Sequence, residues 1–253
     1  MRRIVGIAAI ATLTISSAFA QLGIRNISSV GIDANFDKTV SIDINQVLLF
    51  PVVDWLSAEL KVQRQDAPAR SETTVSAAPI FIFGNTYVIT RYALGIGSSA
   101  GDGERTIAHG GAIDANYEID AVYANAAVRG SFYPADGYWF VIPTVAARVP
   151  IGSVSVLGRY FFSYNSDRTA GHAILAEAGV PIGDRFSVKV GATGSVDVAR
   201  SGDQTTAAWE VSGITGFSFA IRPGLAMRYH LEYLGRLGAV DGIRNILVLD
   251  ASF

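Results

Sequence analysis

The chain has 253 residues and no cysteine, with 20 Lys and Arg against 22 Asp and Glu, and half of it is hydrophobic. Without cysteine there are no disulfides and no thiolate metal sites; a net charge of −2 with no basic cluster offers nothing to a nucleic-acid partner. Beyond Ala20 no apolar run approaches the ~18 residues of a membrane-spanning helix. The longest, Val47 to Val53, is interrupted by Pro51.

Met1 to Ala20 has the layout of a secretory signal peptide. Arg2 and Arg3 form the basic start, Ile4 to Ile15 is almost entirely apolar, and Ala18-Phe19-Ala20 places small residues at the cleavage positions. Cleavage before Gln21 leaves residues 21–253 as the mature chain.

From there to the end, side-chain character alternates with the period of two that marks a strand. Val154, Val156, Tyr160, Phe162 and Tyr164 oppose Ser153, Ser155 and Arg159. Val188, Val190, Ala192, Val196 and Val198 oppose Ser187, Lys189, Thr193, Ser195 and Asp197. The tally in chain order is 26–36, 39–49, 54–62, 73–83, 86–97, 105–117, 121–133, 137–149, 153–164, 171–180, 185–199, 205–221, 224–234 and 243–253. That makes 14 strands, and fusing or dropping the first two gives 12. Segments of about 11 residues or more suit a tilted bilayer crossing, whereas soluble sandwiches use strands of about five or six.

The connections repeat. Val149-Pro150-Ile151-Gly152 and Val180-Pro181-Ile182-Gly183 end their strands alike, with variants at Phe50-Pro51-Val52-Val53 and Ile221-Arg222-Pro223-Gly224. Proline lacks a donor and belongs where pairing ends and a turn begins. The 99 residues from Pro51 to Pro150 make three periods of 33, which puts unmarked turns near residues 84 and 117. On the opposite side the connections are polar: Asp37-Lys38, Gln63 to Glu72, Ser98 to Glu104, Pro134 to Gly137, Asn165 to Ala170, Ser201 to Gln204 and Gly235 to Gly242. None is long enough to build a plug or a lid. Aromatics form two bands: Phe50, Phe83, Phe186, Phe219 and Phe253 on the turn side, and Phe36, Phe132, Tyr133, Tyr138, Trp139, Tyr164, Trp209 and Tyr233 on the loop side.

In the last strand Leu247, Leu249, Ala251 and Phe253 share one face, with Ile246, Val248, Asp250 and Ser252 on the other. A terminal aromatic closing such a strand resembles the assembly signal of bacterial, Gram-negative-type outer-membrane β-barrels. With the signal peptide, amphipathic strands and tight turns, the resemblance covers nearly the whole mature chain, and it marks an architecture without a subfamily. It implies an all-β, antiparallel up-and-down transmembrane barrel, exported with a cleaved signal peptide to the bacterial outer membrane. Its implied partners are outer-membrane lipid, lipopolysaccharide and the barrel-assembly machinery. No cofactor and no nucleic acid are implied, and the oligomeric state stays open.

With the apolar face toward lipid, the other face lines a lumen. The candidates there are Glu59, Lys61, Arg91, Asp114, Glu118, Arg129, Arg148, Arg159, Glu177, Lys189, Asp197, Glu210, Arg228, His230 and Glu232, with Asp33 and Asp43 beside them. Such charges either hold a water-filled pore open or pair across the interior and fill it. Their near balance predicts weak ion selectivity at most.

Catalytic chemistry has little support. Of the three histidines, His109 and His172 read as polar residues near strand ends on the loop side, and His230 as a member of a lumenal hydrogen-bond network. The His-x-Ser arrangement of phospholipase-type barrels is absent, since Gly111, Ile174 and Glu232 follow two residues after each histidine. No metal-ligand spacing occurs. The expectation is a small porin-like channel for hydrophilic solutes and no enzyme. A non-conducting structural or surface-interaction barrel is the alternative, and a lipid-modifying enzyme the third reading.

Overall fold

The computed structural model describes residues 24–35, 39–67, 70–99, 105–201, 204–236 and 239–252. The expected signal peptide, Met1 to Ala20, together with Phe36 and Phe253, lies outside these residues. Fourteen strands follow in chain order: β1 Arg25–Asn35, β2 Val40–Val53, β3 Leu56–Ala67, β4 Arg70–Phe83, β5 Thr86–Ser99, β6 Arg105–Ile119, β7 Val122–Tyr133, β8 Tyr138–Ile151, β9 Val154–Asn165, β10 Thr169–Ile182, β11 Phe186–Ser201, β12 Gln204–Arg222, β13 Leu225–Arg236 and β14 Ala239–Ser252. Each pairs antiparallel with its sequence neighbours, and β1 pairs with β14 along its full length, so the sheet closes into a barrel. The count is fourteen, and the twelve-strand alternative is set aside.

Alternation decides which side chains meet the surroundings. Leu60, Val62, Val75, Ile96, Ile107, Ile113, Val128 and Val190 stand on the outer face and are all exposed. A continuous apolar exterior of this extent is at home in hydrocarbon, and closure leaves no strand edge in it. A set of small buried residues sits on the inner face instead: Ala78, Ala108, Ala127, Ala146, Ser76 and Thr144. They form a floor over which longer side chains lie.

The tight turns fall where the repeat placed them. Gly152 and Gly183 adopt positive φ (61° and 67°), which a turn of two or three residues between right-twisted strands requires. The turn expected near residue 117 sits at 120–121, and Asp120 takes the left-handed conformation there (φ 51°) without a glycine to mark it.

Two expectations shift. Pro51, Pro150 and Pro181 do not end their strands: they pair with Ser57, Ser155 and Ser187 inside β2, β8 and β10. Two further prolines lie mid-strand. Pairing of β4 with β5 lapses between Ala77 and Ile80 around Pro79, and pairing of β8 with β9 lapses between Val141 and Thr144 around Pro143, because proline has no N–H to give. The expected loop from Gln63 to Glu72 is mostly strand, since β3 runs to Ala67 and β4 starts at Arg70. The polar residues that suggested a loop are ladder residues above the apolar band. Arg64 and Asp66, for example, form an ion pair at 2.8 Å on the outer side of β3.

The two faces make a direct prediction. Ile113→Lys, in the middle of the outer face, should destabilise the barrel folded in lipid vesicles by roughly 2–4 kcal/mol. Thr193→Lys, mid-strand on the inner face, should cost far less. Urea titrations of both variants, followed by tryptophan fluorescence, check this; equal losses would contradict the assignment of faces.

Candidate functional site: the lumenal wall

Register carries the inner face from strand to strand: Glu59 is level with Ala78, Arg91 with Ala112, Ala112 with Arg129, and Arg148 with Leu157. On that face lie Glu59 and Lys61 of β3, Arg91 of β5, Asp114 and Glu118 of β6, Arg129 of β7, Arg148 of β8 and Arg159 of β9. Continuing round the barrel are Glu177 of β10, Lys189 and Asp197 of β11, Glu210 of β12, and Arg228, His230 and Glu232 of β13. All fifteen positions taken from the sequence therefore share one surface. Asp33 and Asp43 join them, and so do Arg25, Arg244 and Asp250, which sequence reading left out of the set. The parity of Arg244 with Asp250 was the available signal.

Most of these charges are paired, and the pairs run along the wall. Arg91 Nε donates to Glu59 at 2.8 Å and its Nη1 to Asp114 at 3.4 Å. Lys189 donates to Glu177 at 2.7 Å, and Arg148 to Glu118 at 3.4 Å. At the seam Arg244 donates twice to Asp33, at 2.8 and 2.9 Å, and once to Glu232 at 3.4 Å. Asp250 accepts from Arg25 at 2.6 Å and from Arg228 at 3.2 Å. Among the described residues every ion pair joins neighbouring or next-neighbouring strands, or lies within one strand; none crosses the interior. Lys61, Arg129 and Arg159 stand apart from these pairs. The Arg159 guanidinium lies over the Phe161 ring at 5.7 Å, and its Nε is buried with no acceptor.

The aromatic bands need one correction. Tyr133 and Tyr138 face inward, because Phe132 and Trp139 are the outward pair at that level. Their rings sit 5.8 Å apart, with Phe140 6.4 Å beyond, and they line the loop-side mouth of the lumen. The outer band keeps Trp139 against Tyr164 (5.8 Å) on the loop side and the Phe186, Phe217, Tyr229 ladder (5.9 and 5.5 Å) toward the turns.

The histidines divide. His109 and His172 point outward, and each shares a hydrogen bond with a tyrosine on the adjacent strand, Tyr92 at 2.8 Å and Tyr160 at 2.7 Å. His230 is lumenal, level with Gly216 and Ile246. Among the described residues the expected network does not form around it, since Glu232 instead binds Ser212 at 3.1 Å and Arg244 at 3.4 Å. Among the described residues no three acidic or histidine side chains converge as metal ligands would. Of the expected assembly signal, Leu247, Leu249 and Ala251 lie on the outer face of β14.

Solved structures give the architecture its context. OmpT of Vibrio cholerae, expressed in the outer membrane, superposes with a TM-score of 0.56 at 7% identity over 91% of this chain and 97% of its own. A bacterial polysaccharide outer-membrane secretin gives 0.57 at 10% identity, over 92% and 99% of the two chains. The fold is that of a bacterial outer-membrane β-barrel. An outer-membrane channel from Pseudomonas putida F1 gives 0.56 at 10% identity, over 91% and 95%. Identities this low carry the fold alone. No protein-family model matches the chain, and no curated protein resembles it in sequence.

Glu59 is 8% exposed and depends on Arg91 for its partner. Arg91→Ala should therefore destabilise the barrel by roughly 3 kcal/mol, because it strands a buried carboxylate. Arg148→Ala, whose pair with Glu118 is open to water, should cost less than about 1 kcal/mol. The temperature at which the folded, fast-migrating gel form is lost ranks the two; an equal effect would deny the distinction.

Proposed function

We propose that this barrel is a small porin-like channel of the bacterial outer membrane, passing hydrophilic solutes by diffusion after export with a cleaved signal peptide. The observation that carries this reading is the direction of the ion pairs. Charges of both signs line the interior, yet the ion pairs lie flat against the wall, and among the described residues no salt bridge crosses the axis. Width supports the same reading. Fourteen strands spaced ~4.8 Å and tilted ~40° enclose a cylinder about 28 Å across, some 12 Å wider than the eight-stranded barrels that side chains fill. The connections support it too: the longest between strands on the loop side, 100–104, has five residues, too few to build a plug. On this reading the chain has no catalytic centre, and its partners are outer-membrane lipid, lipopolysaccharide and the barrel-assembly machinery.

Planar-bilayer recording tests the proposal. The purified, refolded barrel should give discrete single-channel steps; a correctly folded but silent preparation would favour the structural, non-conducting alternative. Because the chain lacks cysteine, accessibility can be read independently. Ser131→Cys and Ser212→Cys, both on the inner face, should react with a charged, membrane-impermeant maleimide in vesicles, while Ile113→Cys should not.

A further inference from the structure

A balanced total of charge conceals a local imbalance on the wall from β3 to β8. A cavity of about 260 Å³ opens there into the lumen, and its ionisable lining residues are all cationic: Lys61, Arg91 and Arg129. Its shape follows from the register. Arg91 and Arg129 are each level with Ala112, so the two arginines flank a strand position with almost no side chain. One row toward the loop side, Ser76, Ala93, Gly110 and Ser131 continue the same shallow floor from strand to strand. Two inter-strand spacings separate the arginine stems, about 10 Å, leaving room for an anionic group between them.

The nearby carboxylates lie outside the lining of this cavity. Glu59 and Asp114 are both engaged by Arg91, and Asp43 accepts from Gln63 Nε2 at 2.9 Å. Lys61 and Arg129 make no ion pair or hydrogen bond among the described residues, and Arg129 is exposed to the lumen. Two uncommitted cations beside an anchored third, above hydroxyl groups and next to the Phe140 ring, form a concave site for an oxyanion. Its volume is below the range of drug-sized pockets, roughly 300–1,000 Å³.

We infer that this cavity binds small hydroxylated organic anions, carboxylates or phosphate monoesters, with the oxyanion held by Arg91, Arg129 and Lys61 and the hydroxyls facing Ser76 and Ser131. The inference rests on the channel reading for its use, since a water-filled lumen is what brings solute to the wall. It makes the pore a selective one at this level, in spite of its near-neutral total.

The test pairs calorimetry with bilayer recording, using glucose 6-phosphate as probe and glucose as its neutral control. The wild-type barrel in detergent should bind the phosphate ester saturably at low salt and show no heat with glucose. The double variant Lys61→Gln with Arg129→Gln should bind at least tenfold more weakly while keeping its heat-modifiable gel migration, because among the described residues neither side chain makes an ion pair or hydrogen bond. In bilayers the ester should reduce the wild-type current, and tenfold more should be needed for the variant. Equal binding of glucose, unchanged binding by the variant, or no binding by the wild type would each overturn the inference. The two readings separate cleanly: a conducting barrel that binds nothing loses the site and keeps the channel, while a silent barrel that binds the ester loses the channel and keeps the site.

Discussion

Backbone polarity in hydrocarbon governs everything else about this molecule. An amide or carbonyl facing acyl chains has no water to turn to, so a membrane-crossing sheet must pair every strand on both sides. Here the pairing of β1 with β14 meets that demand. Closure then fixes the rest: one side chain in two meets lipid, the other enters an enclosed space, and each strand must be long enough to cross.

Polar groups on either face follow the same economy of partners. Inside, basic side chains and carboxylates on neighbouring or next-neighbouring strands bond laterally, so among the described residues no ion pair reaches across the lumen. Outside, His109 and His172 stand on the apolar exterior, where an unpartnered imidazole would be costly. A diagonal tyrosine bonds each of them in the same geometry on β5–β6 and on β9–β10.

Strand number, facing and most of the lumenal set were legible because they depend only on period and parity, which a linear text preserves. Residues such as Glu177 and Lys189 announced themselves between apolar neighbours. Strand ends were less readable. Above the apolar band the ladder continues through Gln63, Gln65 and Thr74, where polar composition looks like a loop. Tyr133 and Tyr138 were misassigned on aromatic character alone, although Tyr133 shares the parity of Arg129 in β7 and Tyr138 that of Arg148 in β8, which turns both inward. The alanine between Arg91 and Arg129 was invisible in sequence for a different reason. It exists only once three strands are aligned.

The seam between the first and last strands carries a consequence for how the cylinder comes into being. Its clasps, Arg25 with Asp250 and Arg244 with Asp33, unite residues 225 and 211 positions apart. Every other strand pairing joins a strand to its successor and can zip up locally, whereas this one waits for both chain ends to meet. Loop-closure entropy rises only by about 0.6 kcal/mol per doubling of length, so the delay is one of search time more than of final stability. Until those clasps latch, two naked edges stand ready to recruit a foreign strand. A folding chain therefore stays exposed at its margins longer than anywhere along its middle.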